Sequence, residues 1–296
     1  MKLCVIGGAG ARSAFLTKSL VKSARDIQVD HIVLLDNDQQ KLKTYGEISR
    51  ELARRLDPEL TFEVTSDARA ALTGVDYIIT TIRAGGDAGR LFDEQTCLAH
   101  GVLGQETTGA GGFAMAIRSV PTLVYYCTLA REVANPGHLI FNFTNPSGII
   151  TQALRSKGFD NVYGICDAPS GFIKQLEEIL DIPYGTLDIE CYGLNHLSWF
   201  RNAKVNGRDV QRELLDNPRT YEHSEMRLFT REMARISGDC MLNEYLYFYY
   251  RRVKSLSMIQ KADHPRGEMI YLINRELEEQ LARLELPRDF EQAFNL

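Results

Sequence analysis

Apolar residues in the first half of the chain fall in short blocks of strand length, separated by amphipathic stretches of helix length. Lys2–Ile6 has no polar interruption after its first residue, the pattern of a strand buried on both faces. Glycines follow, then a helix over Ser13–Ser23 and a second strand, Ile32–Leu35, that ends on Asp36. The series continues with a charged helix over Gln39–Leu56, a strand around Phe62–Val64, a short helix at Arg69–Leu72 and a strand at Tyr77–Thr81. A helix over Ile117–Ala134, a strand at Leu139–Asn142, a helix over Ser147–Arg155 and a strand at Val162–Cys166 complete it. Strands alternating with helices predict an α/β fold built on a doubly wound parallel sheet of the Rossmann type.

The rhythm changes after Cys166. Leu187–Leu194 and Trp199–Val205 read as antiparallel strands, with Asn206-Gly207 as a tight turn, and helices follow from Ser224 to the end. The expectation is a nucleotide-binding domain over 1–166 and a second, α+β domain over 167–296.

Composition narrows the partners. A net charge of -5 and a pI near 5.8 argue against a nucleic-acid surface. The first apolar stretch is too short for a signal peptide or a membrane span. Six cysteines at 4, 97, 127, 166, 191 and 240 form no C-x-x-C pair, which suits a reducing compartment and a cytoplasmic location.

Gly7, Gly8 and Gly10 stand where the turn after the first strand must let backbone N–H groups approach a pyrophosphate. Ser13 takes the place of the third glycine, and Asp36 supplies the acceptor for a ribose 2′-hydroxyl, so NAD is favoured over NADP. The plainer alternative is a doubly wound sheet whose glycines serve only close packing.

Cys166 ends a strand on the carboxyl edge where such sheets place ligands, and His196 sits at a strand boundary. A thiolate and an imidazole together suit one divalent cation, with positions left open for substrate oxygens. On spacing alone the pair reads better as a buried thiol and a hydrogen-bonded histidine than as metal ligands, and Asn142 and Asn145 can be read as plain turn and cap residues.

Taken together, a longer set of motifs resembles family 4 glycoside hydrolases. It comprises Arg83-Ala84-Gly85-Gly86, Arg90, Asp93-Glu94, Gly104-Gln105-Glu106-Thr107-Thr108-Gly109, Gly111-Gly112-Phe113 and Ile117-Arg118-Ser119-Val120-Pro121. It continues through Asn142-Phe143-Thr144-Asn145-Pro146-Ser147-Gly148, Cys166-Asp167-Ala168-Pro169, Gly193-Leu194-Asn195-His196, Asn243-Glu244-Tyr245-Leu246 and Arg266-Gly267-Glu268. The resemblance implies that Cys166 and His196 hold a divalent metal, usually manganese. It places Asn145, Asp167 and Arg266 at the sugar, with Arg90 on the sugar or its phosphate. Arg12 and Arg83 are expected at the cofactor, Tyr245 as the base, and Asp167 as the acid that protonates the leaving oxygen.

It further implies hydrolysis through NAD-dependent oxidation at sugar C3, metal-assisted removal of the C2 proton, elimination, water addition and return of the hydride, a departure from the usual paired-carboxylate route. The substrate expected is a small phosphorylated sugar, a 6-phospho-β-glucoside first. A phospho-α-glucoside or an unphosphorylated glycoside is the alternative within the family, and a malate- or lactate-type dehydrogenase the alternative outside it. A homo-oligomer, dimer or tetramer, is expected, and members of the family usually extend further than Leu296, so the second domain is expected to be incomplete at its C-terminal end.

Overall fold

The computed structural model describes residues 1–286 and 288–295. The chain divides into two compact units, one comprising Met1–His100, Gly104–Ile165 and Asp263–Leu296, the other Gly101–Leu103 and Cys166–Ala262.

The first unit is the expected doubly wound sheet. Its strands are β1 (Lys2–Ile6), β2 (His31–Leu35), β3 (Thr61–Thr65), β4 (Tyr77–Thr80), β5 (Leu139–Asn142) and β6 (Val162–Gly164), all parallel, in the order β3-β2-β1-β4-β5-β6. That order reverses direction at β1 and β4, the crevice where such folds bind dinucleotides. Side chains alternate across the central strands. Cys4, Ile6, Val33 and Leu35 face Leu123, Ile150 and Leu154 on one side, and Leu3, Val5, Ile32 and Leu34 face Val21, Val29 and Ala53 on the other. Both faces of β1 are thus dry, which explains why its sequence shows no polar alternation.

Helices depart from the expected pattern in two places. Gly86–Ala99 is helical although no such helix was predicted, because its inner face carries Arg90, Asp93 and Glu94, all buried, in place of an apolar stripe. The helix expected from Ile117 begins at Gly109. Gly111 sits so near the Gln105 carbonyl that a Cβ would lie 2.7 Å from it, so this glycine serves close packing and does not break the helix. The helix Gly109–Val133 is the only described one long and apolar enough to cross a membrane, and Met115, Leu123, Cys127 and Ala130 on it are buried in the protein.

A correction concerns the domain boundary. The helices Arg266–Leu281 and Phe290–Phe294 do not continue the second domain: Leu277, Leu281, Phe290 and Phe294 pack with Tyr45, Ile48 and Leu52 of the first unit. Asn274 Nδ2 also donates to Asp87 Oδ2 at 2.6 Å. The burial of that apolar face, invisible to a linear reading, sends the C-terminal segment back to the first unit.

The second unit is α+β. Its strands are β7 (Leu187–Leu194), β8 (Leu197–Val205), β9 (Arg208–Asp209) and β10 (Met241–Leu242), antiparallel, with β8 between β10 and β7 and β9 also on β8. Asn206 and Gly207 both have positive φ, 51° and 80°, as the two-residue turn between β8 and β9 requires. Phe172, from the helix Ala168–Ile179, meets Phe200 edge to face at 4.9 Å in the core. The helices expected from Ser224 onward are joined by a short strand, β10, which pairs Met241 and Leu242 with Phe200 and Trp199.

Candidate cofactor and cation sites

In the first unit, the turn after β1 is fastened to β2: Gly7 N–H and Gly8 N–H both donate to the Leu35 carbonyl, at 2.8 and 3.0 Å. Gly10 N–H donates to Ser13 Oγ at 2.7 Å, so the residue in the third-glycine position secures the turn with its hydroxyl. Asp36 Oδ2 accepts from Ala9 N–H at 3.2 Å and its Oδ1 from Asp38 N–H at 3.0 Å. The carboxylate that would meet a ribose therefore stands at the turn itself. A Cβ built on Gly10 would have no neighbour within 4 Å, so the space a pyrophosphate needs is open beside the backbone. Arg12 is exposed as the residue preceding the helix Ser13–Ser23, whose first turn has no side-chain cap. An uncapped helix start, an open glycine and an acidic residue at the end of β2 fit a dinucleotide.

The other basic residues singled out in this unit are set in an ion-pair chain. Arg83 pairs with Asp87 and with Glu106, the latter at 3.1 Å. Arg90 is buried, with Nε on Glu94 at 2.8 Å and Nη1 on Glu106 at 3.1 Å. Glu94 Oε2 also accepts from Gly267 N–H at 2.8 Å, which fixes the start of the helix that opens on the exposed Arg266. Asn145 is half-buried and precedes Pro146 through a cis peptide bond. Asn142, in contrast, is fully internal: its Oδ1 accepts from Thr80 Oγ1 at 2.8 Å and its Nδ2 donates to Thr151 Oγ1 at 3.1 Å.

In the second unit the pair expected to hold a metal is brought together. Cys166 Sγ lies 3.6 Å from His196 Nε2. Cys166 is half-buried just before the helix Ala168–Ile179, and the Ala168 N–H points at the sulfur at 3.5 Å. His196 belongs to the two-residue loop between β7 and β8, where Leu194 still pairs with Leu197. Its φ is 59°, in the left-handed region uncommon for a residue with a side chain. Gly193 precedes it with φ 117°, and a Cβ there would fall 2.3 Å from the Leu197 carbonyl, so only glycine lets this hairpin close. The Tyr245 ring lies flat on the His196 imidazole, centroids 3.8 Å apart and planes 1° from parallel. Asp167 is exposed, with Oδ1 4.0 Å from Cys166 Sγ.

A separation of 3.6 Å is what two ligands on one cation show when bonds of about 2.0–2.1 Å to nitrogen and about 2.3 Å to sulfur meet near the tetrahedral angle. Among the described residues there is no cluster of three or more histidine, cysteine or acidic side chains placed for a metal. The donors fit a divalent cation held by two side chains, with its remaining positions left to oxygen ligands.

Residues 2–182 match the profile of family 4 glycosyl hydrolases, and residues 191–296 match the C-terminal domain of the same family. The chain belongs to glycosyl hydrolase family 4. Among family members, the 6-phospho-beta-glucosidase BglT of Thermotoga maritima is 29% identical over 295 residues, covering 98% of this chain and 69% of the relative. The 6-phospho-beta-glucosidase of Escherichia coli is 27% identical over 295 residues, covering 96% of this chain and 65% of its own length. The Thermotoga maritima enzyme solved with manganese, NAD+ and glucose-6-phosphate superposes with a TM-score of 0.84 at 30% identity, covering 95% of this chain and 67% of that one. The chain thus spans about two thirds of the length of these family 4 relatives.

Of the supporting acids and amides of this family 4 chain, Glu94, Glu106 and Asn243 stand within the motifs of the resemblance without an expected role, and Glu225 lies outside them. Only burial distinguishes them from surface residues, and no local pattern encodes it.

Proposed function

We propose that this chain is the catalytic part of a family 4 glycosidase that hydrolyses a 6-phospho-β-glucoside with NAD+ and a divalent cation, manganese first. The observation that carries the reading is the thiol, imidazole and phenol gathered from three separate segments, Cys166 within 3.6 Å of His196 and Tyr245 stacked on it. Further support comes from the relatives above, which are named as 6-phospho-beta-glucosidases, one of them solved with NAD+ and manganese.

Bound, the nicotinamide would supply a reversible hydride acceptor and the cation a Lewis acid for an oxygen of the sugar. Cys166 and His196 would hold the cation. Tyr245 takes the proton from C2, and Asp167 gives one to the leaving oxygen. Asp36 would accept from the ribose, the turn at Gly7, Gly8 and Gly10 would hold the pyrophosphate, and Arg12 and Arg83 would contribute positive charge to the cofactor. Asn145 and Arg266 bind the sugar. Arg90 balances Glu94 and Glu106 in the structure, and its contact with sugar or phosphate completes the substrate set. We place this activity in the cytoplasm, in a homo-oligomer.

A second reading, cleavage of 6-phospho-α-glucosides, draws support from Cys166-Asp167-Ala168-Pro169 and from a 6-phospho-alpha-glucosidase solved with NAD and Mn2+ that superposes with a TM-score of 0.85 at 27% identity. Chromogenic 6-phospho-β- and 6-phospho-α-glucosides, offered in parallel with NAD+ and Mn2+, separate the two. The proposed activity predicts aglycone release from the β-anomer with no net NADH. Stoichiometric NADH without aglycone would instead mark a dehydrogenase.

A further inference from the structure

The loop that presents Tyr245 is held by a buried acid to which the reaction above gives no part. Glu225 opens the short turn Glu225–Leu228 and is 7% exposed. Its backbone N–H donates at 3.0 Å to Gln175 Oε1, on the helix that starts beside Cys166. Its carboxylate faces the Tyr245 loop: Oε2 accepts from Asn243 Nδ2 at 3.0 Å and from Glu244 N–H at 2.8 Å. Asn243 is itself 1% exposed, and its N–H donates at 3.1 Å to the carbonyl of Ser198, two residues beyond His196 on β8.

A primary amide has one donating end and one accepting end. Because Glu225 takes the donating end of Asn243, the accepting end is turned toward Tyr245, and Asn243 Oδ1 receives the Tyr245 N–H at 3.2 Å. Reversing the amide would set its NH2 against that N–H and its oxygen against the carboxylate, losing both bonds. Carboxylate, amide and tyrosine N–H therefore form a series with one allowed polarity, and it ends at the ring that lies on His196. The charged groups around the acid are Glu244 and Arg227, which approach each other to 3.8 Å.

We infer that Glu225 is a positioning residue for Tyr245: through Asn243 it sets the 243–245 loop and keeps the phenol ring against the His196 imidazole. The consequence for turnover rests on the reading of Tyr245 as the base, whereas the placement of the ring does not.

The test compares Glu225→Ala, Glu225→Gln and Asn243→Ala in the full chain by two measurements. In metal-free buffer, NMR of histidine-labelled protein, assigned with His196→Gln, reads the upfield displacement that a stacked phenol imposes on the His196 ring protons. With NAD+ and Mn2+, kinetics read kcat, KM and the Mn2+ dependence. The displacement is expected in the wild type and in Glu225→Gln, whose carboxamide oxygen still accepts both bonds, and is expected to be lost in both alanine variants. Those two variants should lose kcat on the order of 10- to 100-fold while the Mn2+ dependence stays within about twofold, the pattern of a misplaced base beside an intact cation site. Alanine variants that fold and keep the displaced resonance would overturn the inference. If neither folds, Glu225→Gln decides it, because loss of the displacement there is equally contrary. A wild type that shows the displacement but no glycosidase activity would remove the proposed function and leave the positioning role standing.

Discussion

The two sites of this chain are built from different materials. The turn after β1 is a backbone site: its peptide N–H groups are fastened to the Leu35 carbonyl, to Asp36 and to Ser13, and its shape is set by the path of the chain rather than by a set of converging side chains. The cluster at Cys166 is a side-chain site, assembled with residues 30 and 79 positions further along, none of which has the chemistry alone. A backbone site follows from the order strand, glycine turn, helix, and so it is written in one short stretch of sequence. A side-chain site depends on how hairpin, helix start and loop are placed by the core around them. The first should therefore lose affinity gradually when mutated, and the second should fail outright.

The sharpest way to break that comparison is Cys166→Ala. Losing one of two protein donors should lower kcat/KM by about 10²–10⁴-fold, since a Lewis acid supplies several kcal/mol of charge stabilisation, and steady-state kinetics across a Mn2+ titration would register it. Retention of more than a tenth of the activity would mean that the cation does not need this sulfur. Tyr245→Phe comes next. It keeps the ring on His196 but removes the hydroxyl, so kcat should fall on the order of 10²–10³-fold with the Mn2+ dependence unchanged. Washout of deuterium from C2 into water should disappear with it.

Asp36→Ala probes the backbone site and should be milder. Loss of one charged hydrogen bond weakens NAD+ binding by about 10- to 100-fold, measured by fluorescence titration, and narrows the preference over NADP+. A loss as steep as that at Cys166 would erase the distinction between the sites.

The smallest effect concerns stability. Burial pushes the Glu225 carboxyl up to about 7, above its ordinary value of 4.5, against the opposing bonds from Glu244 N–H and Asn243. The folded state thus holds a proton that the unfolded chain has released, so the contribution is fully present below about pH 4.5 and is lost as pH rises through about 7. Glu225→Gln should remove this slope, on the order of 2 kcal/mol across the window, in urea denaturation at pH 5 and pH 8. A slope unchanged in the variant would place the titration elsewhere.

The same contrast explains what could be read from the sequence. The parallel sheet, its strand limits to within two residues and the Asn206-Gly207 turn were legible because apolar runs and turn residues act locally, although β6 stops at Gly164 and leaves Cys166, expected to end it, in the segment between strand and helix. The helix Gly86–Ala99 was not, since its buried face is charged and neutralised by Arg83, Arg90 and Arg118 in ion pairs with Asp87, Glu94, Glu106 and Asp93. The return of Arg266–Leu281 to the first unit was hidden for a similar reason: the partners of Leu277 and Leu281 lie more than 200 positions earlier. Cys166 and His196 were identifiable as candidates by residue type and by resemblance, but their 3.6 Å approach depends on a left-handed His196 and on a hairpin that only Gly193 permits.

Calorimetric titration of Mn2+ into the NAD+-loaded protein, beside Cys166→Ser and His196→Gln, tests the central claim most directly. One Mn2+ per chain in the wild type, with binding abolished or weakened at least about 100-fold in each variant, is the predicted result. Undiminished binding in either variant would contradict it.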